Sequence, residues 1–271
     1  MKRGDSGITL VELVVAVSVL SLVVVFVSRL TNSAASIATT GQKQIDSDAQ
    51  ARQLLDSMAI DFTQMVKRPD VDTYLKSATN TQVGSDQIAF YSTVSGYSTL
   101  TSTQRSAVSL VAYRVNATTR FERMAKGLVW NGATPDTPMV YWATIASKFP
   151  TATTAAADSD YEEASQVFRF EYYYLFEDGT LSATPPSSGV PGTAAIVVDV
   201  AAIDDKSRGL LTDAQVAQVA GALTDYATGT APGALIADWQ TALNAITALP
   251  RPAISGIRLY ERYFYLAPPN L

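Results

Sequence analysis

The hydrophobic and polar positions of this chain begin with a long apolar run. Residues 8–28, ITLVELVVAVSVLSLVVVFVS, contain neither Pro nor Gly and carry one charge, that of Glu12. As an α-helix rising about 1.5 Å per residue, a run of this length crosses the roughly 30 Å hydrocarbon core of a bilayer. The pattern therefore predicts one membrane-spanning helix over residues 8–28.

Helical spacing continues beyond the apolar run, up to the first proline of the chain. Apolar residues recur three or four positions apart, which indicates a helix with one buried face. Residues 29–67 are therefore predicted to continue the same helix and to pack on a globular head, residues 68–271. Polar positions predicted to lie on its other sides include Asp48, Asp56 and Asp61. The predicted apolar face consists of Ala34, Ile37, Gly41, Ile45, Ala51, Leu55, Met58, Phe62 and Met65.

After residue 68 the pattern changes to short alternating or β-branched segments that end in turn residues, which is typical of strands. An antiparallel sheet of such strands would cover the apolar face of the helix, so the pattern predicts an α+β fold. The predicted strands are residues 88–94, 108–115, 120–124, 167–175, 194–200 and 257–266. Alternation along one of them predicts a shared aromatic face of Phe168, Phe170, Tyr172 and Tyr174.

A helical insertion, residues 206–252, precedes the last predicted strand. The segment from Thr212 to Gln215 has the form of a capping box, and apolar residues follow at helical spacing. A second segment with the same spacing ends before Pro250. We expect a helical hairpin. It is either a lid that packs its own apolar stripe on the sheet, which we favour, or a contact surface for a neighbouring subunit.

Composition removes several classes of function. The chain has 271 residues without Cys or His, which excludes Cys and His nucleophiles, Ser-His-Asp triads, His-ligated zinc and disulfides. Twenty Lys and Arg against 25 Asp and Glu give a formal net charge of −5, which argues against a nucleic-acid partner. No Gly-rich phosphate loop occurs and no carboxylate pair is marked as an acid–base pair. We expect neither an enzyme nor a cofactor.

Two candidate ligand sites have simpler interpretations. Residues 158–163 contain four acids, and oxygen ligands suit Ca²⁺, but the spacing is not that of an EF-hand loop. A solvated acidic loop without metal is therefore predicted. An aromatic set could stack on a sugar or peptide, although such stripes at strand spacing usually belong to a core. This set is Tyr172, Tyr174, Tyr260 and Phe264.

Three interpretations compete for the N-terminal segment. Lys2 and Arg3 precede the apolar run and predict a cytoplasmic N-terminus, with the bulk of the chain across the membrane. A secretory signal cut near Ser33 is disfavoured, because the apolar run exceeds the usual 7–15 residues, roughly, of such signals. An uncut anchor fits the hydropathy but leaves Glu12 unexplained, since an acid at mid-helix costs about 2.5–3.5 kcal/mol.

The third interpretation accounts for all of these residues. Gly7-Ile8-Thr9-Leu10-Val11-Glu12 resembles the processing site of type IV pilins and pseudopilins. The resemblance implies a leader of residues 1–7, cleavage after Gly7 by a prepilin peptidase, and methylation of the new N-terminus at Ile8. Glu12 would then be the fifth residue of the mature chain. Major pilins usually have Phe where this chain has Ile8, which suggests a minor component.

The resemblance also gives Glu12 a role. A carboxylate in hydrocarbon is tolerated when a partner neutralises it, and the candidate partner is the amine at Ile8 of an adjacent subunit. That pairing would set the axial register of a helical filament. Two alternatives remain open: Glu12 reaches the membrane interface, or it is protonated without a partner.

The order of the predicted strands is similar to that of J-type minor pseudopilins and PilW-like minor pilins, and to the Verru_Chthon cassette protein C group. The family implies a minor subunit of a type II secretion pseudopilus or a type IV pilus, assembled with other pilins. It also implies a single-pass inner-membrane protein whose head lies in the periplasm or in an extracellular filament. The alternative is a membrane-tethered binding or adhesion protein that does not polymerise.

Overall fold

The computed structural model describes residues 10–67, 74–75, 84–96, 105–129, 162–186 and 192–266. Its helices are α1 (Leu10–Thr63), α2 (Asp205–Arg208), α3 (Asp213–Ala222), α4 (Ala234–Ala245) and α5 (Arg251–Ile254). Its strands are β1 (Tyr74–Leu75), β2 (Gln87–Ser92), β3 (Arg105–Val115), β4 (Phe121–Val129), β5 (Glu162–Ser165), β6 (Val167–Phe176), β7 (Leu181–Ser182), β8 (Thr193–Ile203) and β9 (Ile257–Tyr265). The structure forms two compact units, Met1–Ile45 and Asp46–Leu271.

In the first unit, the stretch of α1 from Leu10 to Val27 is apolar on all sides, with Glu12 as its one charged residue. The stretch Leu10–Thr39 of α1 is long and apolar enough, by length and composition, to cross a membrane. The hydroxyls of Ser18 and Ser21 donate to the carbonyls of Val14 and Val17, both at 2.8 Å, so these polar side chains are satisfied within the helix. Ile37 and Ile45 are 71% and 63% exposed. The prediction that they share the buried face of the helix is wrong.

In the second unit, the last part of α1 lies in a core between two antiparallel sheets. The five-stranded sheet has the order β1-β2-β3-β4-β5 and the four-stranded sheet the order β7-β6-β8-β9. The ring of Phe62 lies 5.0 Å from that of Phe90 in one sheet and 5.1 Å from that of Phe264 in the other. The α+β prediction is confirmed. The buried residues of this part of α1 and the turn after it are Ala51, Leu54, Leu55, Met58, Phe62 and Met65.

A bulge in β6 changes the aromatic pattern. Phe170, Tyr172 and Tyr174 join the core beneath α1, as alternation predicted. Phe168 instead packs with Tyr173 in a second core, on the other face of the sheet. The cause is a shift in the register with β8 at the start of β6, because an extra residue in one strand reverses which face the next side chain occupies. The prediction that Phe168 shares the face of the other three aromatics is wrong.

The second core lies between the four-stranded sheet and the helical insertion, here α2 to α5. Thr212 and Gln215 form the predicted capping box at the start of α3. Trp239 of α4 is fully buried, and its indole N–H donates to the Thr224 carbonyl at 2.7 Å. The insertion thus buries its apolar stripe on the sheet, as the lid interpretation expects. The stripe consists of Val216, Val219, Leu223, Tyr226, Leu235, Trp239 and Leu243.

Candidate functional site

Among the sequence-predicted site residues, Glu12 lies in the described part of the chain. It occupies the first turn of α1 and is exposed. An acidic side chain there is favoured by the positive end of the helix dipole. Lys2, Arg3, Gly7 and Ile8 lie outside the described residues, so the predicted cleavage site and leader charges stay predictions.

The surroundings of Glu12 on α1 are apolar. Leu10 and Val11 are 81% and 69% exposed, and the neighbouring turns present further exposed Leu and Val side chains. A helix that is hydrophobic around its whole circumference is covered by lipid or by other helices. A carboxylate on such a surface has few solvent contacts once covered, so it requires a cation or a proton. The N-terminal stretch of α1 can therefore contact lipid, other helices, or both, and Glu12 is its acidic residue.

The opposite end of α1 is attached to the five-stranded sheet by a buried carboxylate. Asp61 is 2% exposed and accepts two hydrogen bonds from the Arg123 guanidinium, from Nε and from Nη2, each at 2.9 Å. It also accepts one from the Tyr113 hydroxyl. Burial, followed by the charge of Asp61, raises the pKa of Tyr113 well above its usual range. This bidentate arrangement fixes the rotation of the helix against β3 and β4.

The carbonyls at the end of α1 are satisfied by β2. The Ser92 hydroxyl lies 3.2 Å from the Asp61 carbonyl and 3.1 Å from the Gln64 carbonyl, and donates to them. The Val66 amide donates to the Tyr91 carbonyl at 2.8 Å. The sheet thus supplies the partners that the last turn of a helix lacks.

Strand β9 holds the same part of α1 from the four-stranded sheet. Tyr260 donates its hydroxyl hydrogen to Asp48, and Arg262 Nη1 donates to Asp56 at 2.6 Å. The sequence pattern placed Asp48, Asp56 and Asp61 on the sides of the helix away from the core, which is wrong for Asp61. Its spacing of three residues from Met58 and its position next to Phe62 put it on the buried face.

The alternative ligand sites have structural roles. Tyr172, Tyr174 and Phe264 are core residues, and Tyr260 is half-buried against α1, so the aromatic set is no stacking platform. Of the acidic loop, Glu162 and Glu163 lie in β5, whereas residues 158–161 lie outside the described residues. Within the described ranges, no three acidic side chains are grouped so that they could hold a metal ion.

Comparison with known proteins identifies a family motif in the N-terminal segment. Residues 2–28 match the family described as "Prokaryotic N-terminal methylation motif". No curated protein matches the chain. The motif supports a type IV pilin-like protein with an apolar N-terminal helix that fits a membrane anchor, and its family is structural rather than catalytic.

Proposed function

We propose that this chain is a minor pilin or pseudopilin, a structural subunit that enters a type II secretion pseudopilus or a type IV pilus-like filament through its N-terminal helix. The observation that carries the proposal is the methylation motif over residues 2–28, with Glu12 in the first turn of a helix whose N-terminal stretch is apolar. A tether alone requires neither the motif nor a carboxylate on its apolar surface.

On this proposal the residues of the motif act in sequence. Lys2 and Arg3 keep the leader on the cytoplasmic side of the inner membrane. The prepilin peptidase cuts after Gly7, and the exposed amine of Ile8 is methylated. The helix stays in the membrane with its head on the periplasmic side until other pilins or pseudopilins recruit it. The layout of the strands favours a minor subunit of the J-type or PilW-like kind.

Glu12 supplies the specificity of assembly. In hydrocarbon, an isolated carboxylate costs several kcal/mol at the least. The amine of Ile8 on an adjacent subunit neutralises it, and the pairing sets the axial register between two otherwise featureless apolar helices. The register therefore depends on one ion pair rather than on the shape of Val and Leu side chains.

Mass spectrometry of the N-terminal peptide tests the processing. Chain purified from native cells is expected to begin at Ile8 with an added methyl group, and chain from cells without the prepilin peptidase is expected to retain Met1 through Gly7. Gly7→Leu should give the uncut form in both strains. A native chain that still begins at Met1, or that begins beyond Ala35, would contradict the proposal and favour the membrane-tethered binding protein.

A further inference from the structure

Three acidic residues lie in register on three neighbouring strands of the four-stranded sheet, so that the middle one has an acid on each side and the outer two are separated by a strand. Glu171 of β6 is paired in register with Asp199 of β8, and Asp199 is paired in register with Glu261 of β9. Directly opposite side chains on neighbouring antiparallel strands have Cβ atoms about 4.5–5.5 Å apart. These three residues, here called the carboxylate row, lie on the face that the helical insertion covers.

The row is buried at Glu171 and Asp199 and partly exposed at Glu261, and its members differ in their hydrogen bonds. Glu171 and Asp199 are both fully buried. Glu171 accepts from the Tyr226 amide at 3.1 Å, and Glu261 accepts from the Tyr173 hydroxyl at 3.2 Å. Neither carboxyl oxygen of Asp199 has a hydrogen-bond partner within the described residues. Asp199 therefore occupies the centre of the row without the donors that a buried carboxylate needs.

No cation in the described part of the chain pairs with Asp199. Arg169, the cation that β6 places on this face, donates through Nη2 to Asp225 at 2.6 Å and to Glu171 at 3.5 Å, and not to Asp199. Among the residues that the structure describes, the other charged and titratable groups beside the row are acids and tyrosines. They are Glu171 and Tyr173 on β6, Glu261 and Tyr263 on β9, and Asp225 and Tyr226 in the insertion.

We propose that the helical insertion is a proton-dependent cover, which packs on the four-stranded sheet while Asp199 is protonated and opens locally when Asp199 ionises. The charged form of Asp199 is disfavoured, because Asp199 is fully buried between two other acids and like charges directly opposite each other repel, the more so when buried. The proton on Asp199 removes the central charge. When it leaves to solvent, the charged form gains hydration only if the insertion lifts off the sheet. This device does not depend on filament assembly.

The pH range follows from the same surroundings. Burial, followed by the charges of Glu261 and Glu171, raises the pKa of Asp199 to about 8. The nearby Tyr173 hydroxyl, which donates to Glu261, lowers that pKa only in part. An exposed aspartate titrates near about 3.9. Between these two values the closed form holds one more proton than the open form, so the opening constant rises by up to about tenfold per pH unit. Above the higher of the two pKa values, the opening constant no longer changes with pH.

The cover has a defined contact with the sheet. The rings of Tyr226 and Tyr173 stack at 3.9 Å with an angle of 8° between their planes. The Arg169 guanidinium lies 5.5 Å from the centre of the Trp239 ring. Opening exposes this aromatic and apolar surface, so the proton controls whether the face of the sheet is available for contact.

Hydrogen–deuterium exchange of the full chain in detergent micelles tests the proposal. After correction for the intrinsic exchange rate, protection of α3 and α4 is expected to fall by roughly tenfold or more from pH 6 to pH 8. Residues 51–63 of α1, in the other core, serve as the internal reference and should change little. Asp199→Asn should remove the pH dependence, and Asp238→Asn, which alters an exposed carboxylate on α4, should retain it.

Two outcomes would overturn the proposal: protection that is independent of pH in the wild type, or the same pH dependence in Asp199→Asn. If Asp199→Asn leaves the insertion open at both pH values, two further measurements test the proposal, one on the wild type and one on Glu261→Gln. The infrared band of a protonated carboxylic acid should be present at pH 6 and lost by pH 9, and its absence at pH 6 contradicts the proposal. Glu261→Gln removes a neighbouring charge and so lowers the pKa of Asp199 in the closed form. The infrared band should then be lost at lower pH, and the opening constant should level off at lower pH after a smaller total rise. Unchanged midpoints also contradict the proposal.

Discussion

Asp61 and Asp56 lie on the same helix and each meets an arginine, yet their surroundings differ. The side chain of Asp61 is 2% exposed and bonds Arg123 in two places, whereas that of Asp56 is 69% exposed and meets Arg262 once. Exposed ion pairs contribute little because water and salt screen them. Removal of one member of a buried pair destabilises the fold more, because the other member is left without its counter-charge.

We predict that Asp61→Asn lowers the free energy of unfolding by about 2–3 kcal/mol, because Arg123 and Tyr113 lose their shared acceptor charge. Asp56→Asn, the matched control, should change it by less than about 0.5 kcal/mol. Urea denaturation followed by near-ultraviolet circular dichroism measures both. Equal losses for the two variants would refute the assignment of Asp61 as the residue that anchors α1.

At the same scale, the sequence identifies which residues are polar but not how they are paired. The hydrophobic pattern predicts that Asp61 is exposed, because acidic residues are assigned to the solvent side of a helix. Its partners, Tyr113 and Arg123, lie on strands about 50–60 positions further along, so no local pattern predicts the contact. Glu12 is different. Its isolation within an apolar run is visible locally, so the sequence alone picks it out.

Secondary-structure elements follow the local pattern closely until a bulge or a close contact intervenes. The capping box of α3 is predictable, because Thr212 and Gln215 bond each other's backbone within four residues. The bulge at the start of β6 is not, because it depends on register with β8 and reverses the face of Phe168. Likewise, helical spacing continues through Ile37 and Ile45 although the buried face begins after them.

Substitution by alanine should have opposite effects at two glycines, Gly221 in the insertion and Gly256 in the turn before β9. A Cβ at Gly256 would lie 2.1 Å from Ser207 Oγ and 2.3 Å from Asp204 Oδ2, whereas at Gly221 it would meet nothing within 4 Å. Gly256→Ala should therefore destabilise the head by about 1–3 kcal/mol, because the N-cap of α2 must move. Gly221→Ala should stabilise it by up to about 1 kcal/mol, since alanine favours the helix.

Differential scanning calorimetry of the two glycine variants, compared with wild type, distinguishes these effects by the sign of the change in Tm. A Tm for Gly256→Ala that equals or exceeds the wild-type value would mean that the Asp204–Ser207 cap does not fix the approach of the chain to β9.

In the molecule as a whole, the motif that relates it to other proteins and the contacts that stabilise its fold lie in different parts of the chain. Residues 2–28 carry the recognised motif, and that signal is local because it lies within one short segment of the sequence. The head, by contrast, depends on pairing between distant strands, and its α+β class is predictable while its division into two sheets and two cores is not. The insertion and its carboxylate row are features of the head alone.

The central claim is that Glu12 meets the liberated amine of another subunit. It is tested most directly by the amount of chain recovered in filaments sheared from native cells. Glu12→Val should insert into the membrane and be cut at Gly7 like the wild type, yet be missing from the filaments, because its helix has lost the charge that sets the register. Ser18→Val, a control on the same helix whose hydroxyl donates to the Val14 carbonyl one turn earlier, should be incorporated normally. Glu12→Val recovered in filaments at the wild-type level would contradict the account.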